Sequence, residues 1–204
     1  QNIMYQLKWM PQSSTALAQP QQSGARVLLV GPVGPASPVV LQLKVLLQEH
    51  FQVFHVIHTG QDSVQVGAGN VIAMNCNEQE HWSQVKSQVS DISVVIDAQG
   101  WKESSDVGPT LHRVHATVRG VLSKFQQCSR YIVLSEDATM ACMVEGFAKS
   151  LGAEVPRVQT GALRTQEGTQ MHRVVEEIRC MVSGDREAAV WLQRDGQRLV
   201  RRLE

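Results

Sequence analysis

Polar residues suited to binding or catalysis follow one of the predicted buried strands, where Ser135, Glu136 and Asp137 come directly after residues 131–134. In open parallel sheets, ligands bind at the carboxyl ends of the strands, so a serine beside two acids stands in the right place for a site. The same three residues also suit the start of a helix, where a serine caps backbone N–H groups and acids complement the helix dipole. We favour the cap.

A turn with glycines follows the first predicted strand and is the natural place for a phosphate. It runs from Gly31 to Pro38 as G-P-V-G-P-A-S-P. A phosphate cradle needs glycines for close approach and free backbone N–H groups at a helix start. Three prolines in this turn remove N–H donors at the positions where a phosphate needs them. We therefore interpret the turn as structural and predict no cofactor-binding residue.

The histidines do not form a metal-binding pattern. His55 and His58 lie near the end of the second strand, with no third ligand close in the sequence and no acid before Asp62 to hold a ribose. His115 shares a helix face with apolar residues, which predicts a place at the margin of the core. The four cysteines contain no C-x-x-C pair. We predict no metal site.

The composition excludes several classes of protein. The chain has 204 residues, of which 43% are hydrophobic, and 19 basic side chains balance 19 acidic ones. Zero net charge disfavours a nucleic-acid binder that neutralises phosphates. No apolar run reaches the roughly 18–20 residues of a membrane span, and the first residues lack the pattern of a signal peptide. We expect a cytoplasmic chain with reduced cysteines.

Basic residues concentrate near the C-terminus at Arg194, Arg198, Arg201 and Arg202. Charges on an edge strand oppose aggregation, and we favour that interpretation. The alternative is a surface on which a partner docks.

Predicted strands and helices alternate along the chain and carry these residues. Continuous apolar runs such as 27–30 are typical of strands buried on both faces, and amphipathic helices such as 111–125 separate them. This order predicts an α/β fold, a doubly wound and mostly parallel sheet with helices on both faces. Asp195-Gly196 between two short strands predicts a hairpin at the edge of the sheet.

Both ends of the chain resemble one protein family. Residues 5–11, with Tyr5, Trp9 and Pro11, resemble the Y-x-hydrophobic-x-W-x-P entry to the ketoreductase region of modular polyketide synthases. Residues 186–203 resemble the segment that ends the first half of that region, with an E-x-x-V start and an R-x-G-x-R-x-V-x-R-L close. That half is a truncated, Rossmann-like relative of short-chain dehydrogenases, and it binds no cofactor. Alternating apolar and polar positions predict an edge strand at 1–10, and the stretch rich in Gln, Ser and Pro predicts a flexible linker or loop at 11–24. The resemblance implies that residues 25–204 are the structural subdomain.

The resemblance also implies that the catalytic positions are lost. A catalytic short-chain dehydrogenase has a serine after its fifth strand, then a tyrosine that protonates the carbonyl, and a lysine or asparagine four residues later. In this chain the serine position falls on Ser135, the tyrosine position on Met140 and its partner position on Val144. Neither Met140 nor Val144 can donate a proton. We predict no catalytic residue, and NADPH is expected only on an adjacent catalytic subdomain.

Three hypotheses for function follow. The favoured one is a non-catalytic scaffold of a ketoreductase or pseudo-ketoreductase, whose partners are the catalytic subdomain and neighbouring synthase domains. That catalytic subdomain would reduce β-ketoacyl groups tethered to an acyl carrier protein. The second is a divergent NADPH-dependent reductase that uses Ser135. The third is a module that docks the acyl carrier protein through Arg194, Arg198, Arg201 and Arg202.

Overall fold

The computed structural model describes residues 7–12, 24–33, 37–89, 91–101, 107–136, 138–183, 189–195 and 197–203. These residues form ten strands and five helices. The strands are β1 Leu7–Pro11, β2 Arg26–Val33, β3 Gln52–His58, β4 Gln65–Gly67, β5 Val71–Met74, β6 Val94–Asp97, β7 Arg130–Ser135, β8 Gln159–Thr165, β9 Ala189–Leu192 and β10 Arg198–Leu203. The helices are α1 Pro38–Gln48, α2 Gln79–Gln88, α3 Val107–Lys124, α4 Ala138–Glu154 and α5 Met171–Ser183.

All ten strands belong to one sheet in the order β1-β10-β9-β8-β7-β6-β2-β3-β5-β4. The seven strands from β9 to β5 in this order run parallel, and only β4, β10 and β1 pair antiparallel. The predicted fold class is therefore confirmed. The C-terminal hairpin β9–β10 continues the sheet, and β1 lies outside β10 as the outermost strand.

Each face of the sheet has its own core. Helices α1 and α5 pack on one face of the sheet, where their apolar residues form a core with Val27 and Leu29 of β2. Helices α2, α3 and α4 pack on the other face and form a second core with Leu28 and Val30. Successive side chains of a strand point to opposite faces, so a strand covered on both sides is apolar throughout. This is why the run 27–30 predicted the central strand correctly.

Helices α2 and α3 approach each other closely at one point. The Trp82 side chain is fully buried, and its indole N–H donates a hydrogen bond of 2.9 Å to the carbonyl oxygen of Cys76. The ring lies against Gly120 of α3, where a Cβ atom would stand only 2.2–2.4 Å from three ring atoms. Only a glycine allows this contact.

Two local predictions differ from the structure. Strand β2 continues through Gly31 and Pro32 to Val33, beyond the predicted end at 30, with a shift in register between Val30 and Val33. Proline occurs in sheets at such irregularities because the ladder there needs no N–H from it. The short strand β4 was not predicted, since its three residues are all exposed and carry no apolar pattern.

Several predicted segments lie wholly or partly outside the described residues. The first part of the predicted N-terminal strand, including Tyr5, is one of them. Most of the predicted linker at 11–24 lies there too, as do residues 34–36 of the proline-containing turn. The division of the chain at residue 25 remains a prediction. None of the described helices is long and apolar enough to cross a membrane.

Candidate functional site

In this fold a ligand would bind at the carboxyl ends of the central strands. Near the end of β2, this space is occupied by a histidine side chain from the neighbouring strand β3. His55 of β3 is fully buried, and a Cβ atom on Gly31 would lie 3.0 Å from its Nε2. Burial, with a smaller contribution from the charge of Lys44, lowers the pKa of His55 to about 4. Neither ring nitrogen has a hydrogen-bond partner among the described residues. A neutral imidazole therefore fills the space above Gly31.

Two other buried histidines, His58 and His81, accept hydrogen bonds from the backbone of the segment after β5. The backbone N–H of Cys76 donates to Nδ1 of His58 at 3.0 Å, and that of Asn75 donates to Nδ1 of His81 at 3.1 Å. Because His81 accepts at Nδ1, its Nε2 carries the proton and donates to the carbonyl oxygen of Asp62 at 3.2 Å. Burial, followed by the charge of Arg113, lowers the pKa of His58. The described residues contain no group of three metal-ligating side chains.

Apolar side chains occupy the edge at β6 and β7. A Cβ atom on Gly100 would lie 3.1 Å from Cγ and 3.3 Å from Sδ of Met140, and both Met140 and Val144 are buried in α4. Ser135 is 1% exposed at the end of β7, and its Oγ has no hydrogen-bond partner in the described chain. The predicted cap by Ser135 is therefore wrong, because this residue is still within the strand. Asp137 lies outside the described residues.

A buried polar cluster that the sequence analysis missed lies beside this edge. The Tyr131 hydroxyl donates to Oδ2 of Asp97 at 2.5 Å. The backbone and side-chain N–H groups of Gln99 donate to Oδ1 and Oδ2 of Asp97 at 3.0 and 3.2 Å. The Gln99 amide also donates to Oγ1 of Thr117 at 2.9 Å. The available signal was a carboxylate ending the apolar strand β6, but only the fold brings Tyr131, 34 residues later, onto it.

The chemistry of this cluster is limited by its burial. Asp97 and Tyr131 are both fully buried. Burial raises the pKa of Asp97 against the opposing effect of its hydrogen bonds from Tyr131 and Gln99. Burial and then the Asp97 charge raise the pKa of Tyr131 well above 10. A tyrosine that retains its proton so strongly, away from any open surface, is suited to holding β6 and β7 together.

The raised pKa of Asp97 predicts how the stability of the chain changes with pH. Because the folded pKa lies above the unfolded one, the contribution of Asp97 is complete below about pH 4 and declines as the pH rises through the folded value. In Asp97→Asn this decline is absent. The unfolding free energy of Asp97→Asn should therefore increase relative to that of the parent between about pH 4 and pH 8.

Urea unfolding at a series of pH values measures this difference. Asp62→Asn is the matched control, since it makes the same replacement at a carboxyl that is exposed in the loop after β3. The raised pKa would be contradicted if the parent kept the same advantage in unfolding free energy over Asp97→Asn at every pH. It would also be contradicted if that advantage grew as the pH rises.

One of the C-terminal arginines, Arg198, is buried in an ion pair. Arg198 is 6% exposed, and its Nε and Nη2 donate to Oε2 and Oε1 of Glu177, each at 2.9 Å. A further Nη1 contact reaches Oε1 of Gln12. The inclusion of Arg198 in a docking set is therefore corrected: α5 packs on this side of β10 and its glutamate neutralises the charge. Arg194 is exposed, whereas the side chains of Arg201 and Arg202 lie outside the described part.

An open groove of about 620 Å³ runs between α3 and α4. Its lining includes Leu111, His115, Met143 and Phe147, and the rings of His115 and Phe147 meet edge to face at 6.4 Å. His115 is exposed there, contrary to its predicted place at the core margin. The helix periodicity identified its apolar neighbours correctly, but no described element covers this side of α3 and α4.

Comparisons with known proteins show the fold of this chain. Neither protein-family models nor curated protein sequences give a match. Among solved structures, the chain is similar over 98% of its length to an adenylation, ketoreductase and pseudo Asub multidomain structure of a keto acid-selecting NRPS module, with a TM-score of 0.75 and 14% identity. It is also similar over 98% of its length to an N-terminal ketoreductase from the macrolactin assembly line and to a C2-type ketoreductase from a modular polyketide synthase. These have TM-scores of 0.70 and 0.69 and identities of 13% and 15%.

The chain spans less than half of each of these structures, namely 18%, 44% and 42% of their chains. The neighbours include ketoreductase regions of the family that the terminal motifs resemble. At these identities the similarity shows the Rossmann-like fold.

Proposed function

We propose that this chain is the non-catalytic structural subdomain of a ketoreductase or pseudo-ketoreductase region in a cytoplasmic polyketide or related synthase. Its role is to support an adjacent NADPH-dependent catalytic subdomain that reduces β-ketoacyl groups on an acyl carrier protein. The terminal motifs and the Rossmann-like fold support this proposal. The chain also spans less than half of the matched ketoreductase chains, as expected for one of two subdomains.

The observation that carries the proposal is the filling of the carboxyl edge by the chain's own side chains. His55 occupies the space above Gly31, and Met140 occupies the space above Gly100. A dinucleotide needs close backbone approach at the first of these positions, and the residues present do not fit it. Met140 and Val144 also stand where the resemblance places the tyrosine and its partner. Loss of a general acid alone typically costs about 10²- to 10⁴-fold in rate.

The α3–α4 groove supplies a surface for the catalytic subdomain. Leu111 and Phe147 line it, and Met143 is 37% exposed there. Exposed apolar side chains gathered in one groove are typical of protein contacts. A subdomain that acts as a support needs such a surface, and the ketoreductase chains that match this one are more than twice its length.

Titration of the purified chain with NADPH tests the proposal. We expect no heat up to high micromolar cofactor in a calorimeter, because His55 closes the place of the pyrophosphate. We also expect no oxidation of NADPH in the presence of a β-ketoacyl thioester. A catalytically complete short-chain reductase serves as the positive control for both measurements.

Saturable NADPH binding at low micromolar concentration would overturn the proposal in favour of the divergent reductase, with the Ser135 hydroxyl as the first residue to substitute. Docking of a carrier protein could use at most three of the four arginines, because Arg198 is already paired with Glu177.

A further inference from the structure

Helix α1 is apolar on the side that faces solvent as well as on the side that faces the core. Its buried apolar residues, Val40, Leu43 and Leu47, belong to the core on one face of the sheet. On the opposite side of the helix, Leu41 is 41% exposed and Val45 is 60% exposed. A helix that is apolar all round is normally covered on every side. We call the exposed side the α1 face, which consists of Pro38, Leu41, Gln42, Val45 and Gln48.

No residue of the α1 face is charged. Lys44 is the only charged residue of α1, and it is 8% exposed. Its ammonium group donates a hydrogen bond of 2.8 Å to the carbonyl oxygen of Gly69, in the turn between β4 and β5. The next charged residue along the chain, Glu49, follows the last residue of the helix. The centre of the α1 face is therefore apolar and uncharged.

The low charge extends to the strands beside α1. Charged residues make up 19% of the chain, but residues 27–77 contain only three of them. Val71 and Ala73 of β5 are half-buried, and they alternate with Ile72 and Met74 of the core on the opposite face. They therefore lie on the same side of the sheet as α1. Depletion of charge around exposed apolar side chains is typical of the centre of a protein interface.

The absence of charge selects the occupant of this surface. A partner that placed a charged side chain on the α1 face would remove water from that charge and supply no counter-charge. The occupant must therefore be apolar and uncharged at the point of contact. A second copy of this chain offers such a surface, because a two-fold contact brings the same patch of both copies together. Gln42 also suits contact with its own counterpart, since a glutamine side chain contains both a donor and an acceptor.

We propose that two copies of this chain associate through the α1 face, with their α1 helices antiparallel across a two-fold axis. Leu41 of one copy packs against Val45 of the second copy, and the reverse contact follows by symmetry. The two Gln42 side chains meet near the axis. Val71 and Ala73 extend the apolar contact at its margin. This inference goes beyond the proposed function, and it does not depend on whether the chain binds NADPH.

Sedimentation equilibrium of the whole chain over a range of concentrations measures this association. We expect a reversible monomer–dimer equilibrium with a dissociation constant of about 10–100 μM, since a contact centred on one helix of 11 residues is smaller than a standard interface. Adding about 0.5 M sodium chloride should not weaken the dimer, because no charged group lies at the contact.

The variant Val45→Lys should raise the dissociation constant at least about tenfold, because symmetry places two lysines in the same contact without a counter-charge. Val45 is 60% exposed and lysine is a good helix former, so we expect the variant monomer to fold with a urea midpoint close to that of the parent.

Val66→Lys is the matched control, since it makes the same replacement at a valine of β4 that is 51% exposed. Val66 pairs with Ile72, which belongs to the core on the opposite face of the sheet from α1. Lysine at this position should change the dissociation constant less than about twofold.

Three results would overturn the proposal: a chain that stays monomeric up to about 1 mM, a dimer that Val45→Lys leaves intact, or equal weakening by Val45→Lys and Val66→Lys. Met143→Lys tests the α3–α4 groove as another site of association, because Met143 is an exposed apolar residue of that groove. If Met143→Lys weakened the dimer and Val45→Lys did not, the contact would belong to the groove and the α1 face would have no part in it.

Discussion

Replacing Gly120 with alanine should destabilise the folded chain by about 3 kcal/mol or more, or prevent folding at all. The added Cβ atom would lie 2.2 Å from Cδ1 and 2.3 Å from Nε1 of Trp82. The indole cannot simply turn away, because it is fully buried and its N–H is bonded to the Cys76 carbonyl. Helices α2 and α3 would have to separate. Urea unfolding measures the loss.

Gly146→Ala is the matched control for this prediction. Gly146 is also in the interior of a helix, α4, and a Cβ atom there meets nothing within 4 Å. Alanine should stabilise the chain at this position by about 0.5–1 kcal/mol, because glycine is the poorer helix former. Combining Gly120→Ala with Trp82→Leu should cost less than the sum of the two single changes. Additive losses would show that the overlap with Trp82 is not the cause.

Removing one charge from the Glu177–Arg198 pair should cost about 3–5 kcal/mol. Both side chains are at most 7% exposed, and two hydrogen bonds of 2.9 Å join them. Glu177→Gln leaves the guanidinium buried without a counter-charge, and Arg198→Met does the same to the carboxylate. The pair joins α5 to β10, and through Gln12 it reaches the chain directly after β1. Urea unfolding of both single variants gives the cost.

The double variant Glu177→Leu with Arg198→Met removes both charges and therefore measures the net contribution of the ion pair to stability. The single variants measure in addition the cost of burying an unpaired charge. It should recover most of the stability, since apolar side chains of similar size can replace a buried ion pair at little cost. Asp91→Asn is the surface control: Lys86 and Asp91 are 3.9 Å apart and 38% and 53% exposed, so its effect should stay below about 1 kcal/mol. Single variants at Glu177 and Arg198 as mild as this control would contradict the prediction.

Much of the fold could be predicted from local patterns. Strands β2, β6 and β7 are nearly continuous apolar runs because both of their faces are covered, and the helices between them show a periodic apolar face. The weaker predictions involve residues without such a pattern. Strand β8, Gln159–Thr165, shows no continuous apolar run, because its apolar residues are interrupted by Gly161 and Arg164. Boundaries of this kind depend on pairing with β7, which the local sequence does not contain.

The candidate site could be predicted less well. The sequence identified the positions that matter in this fold, namely the turn at Gly31, the end of β3 and the place of Met140. It could not show that His55 lies over Gly31 or that Met140 lies over Gly100, since each contact joins neighbouring strands or a helix to a loop far away in sequence. The buried cluster of Asp97, Tyr131 and Thr117 was missed for the same reason.

The class of fold can be read from local sequence patterns, because burial on one or both faces imposes a periodicity that each segment shows on its own. Which polar groups meet and which stay exposed depends on contacts between segments that are distant in the chain. Arg194 and Arg198 stand four residues apart with the same chemistry, yet one is exposed and the other is buried against Glu177. Their difference arises from the packing of α5 on β10, and such a contact between distant segments leaves no mark on the local pattern of either one.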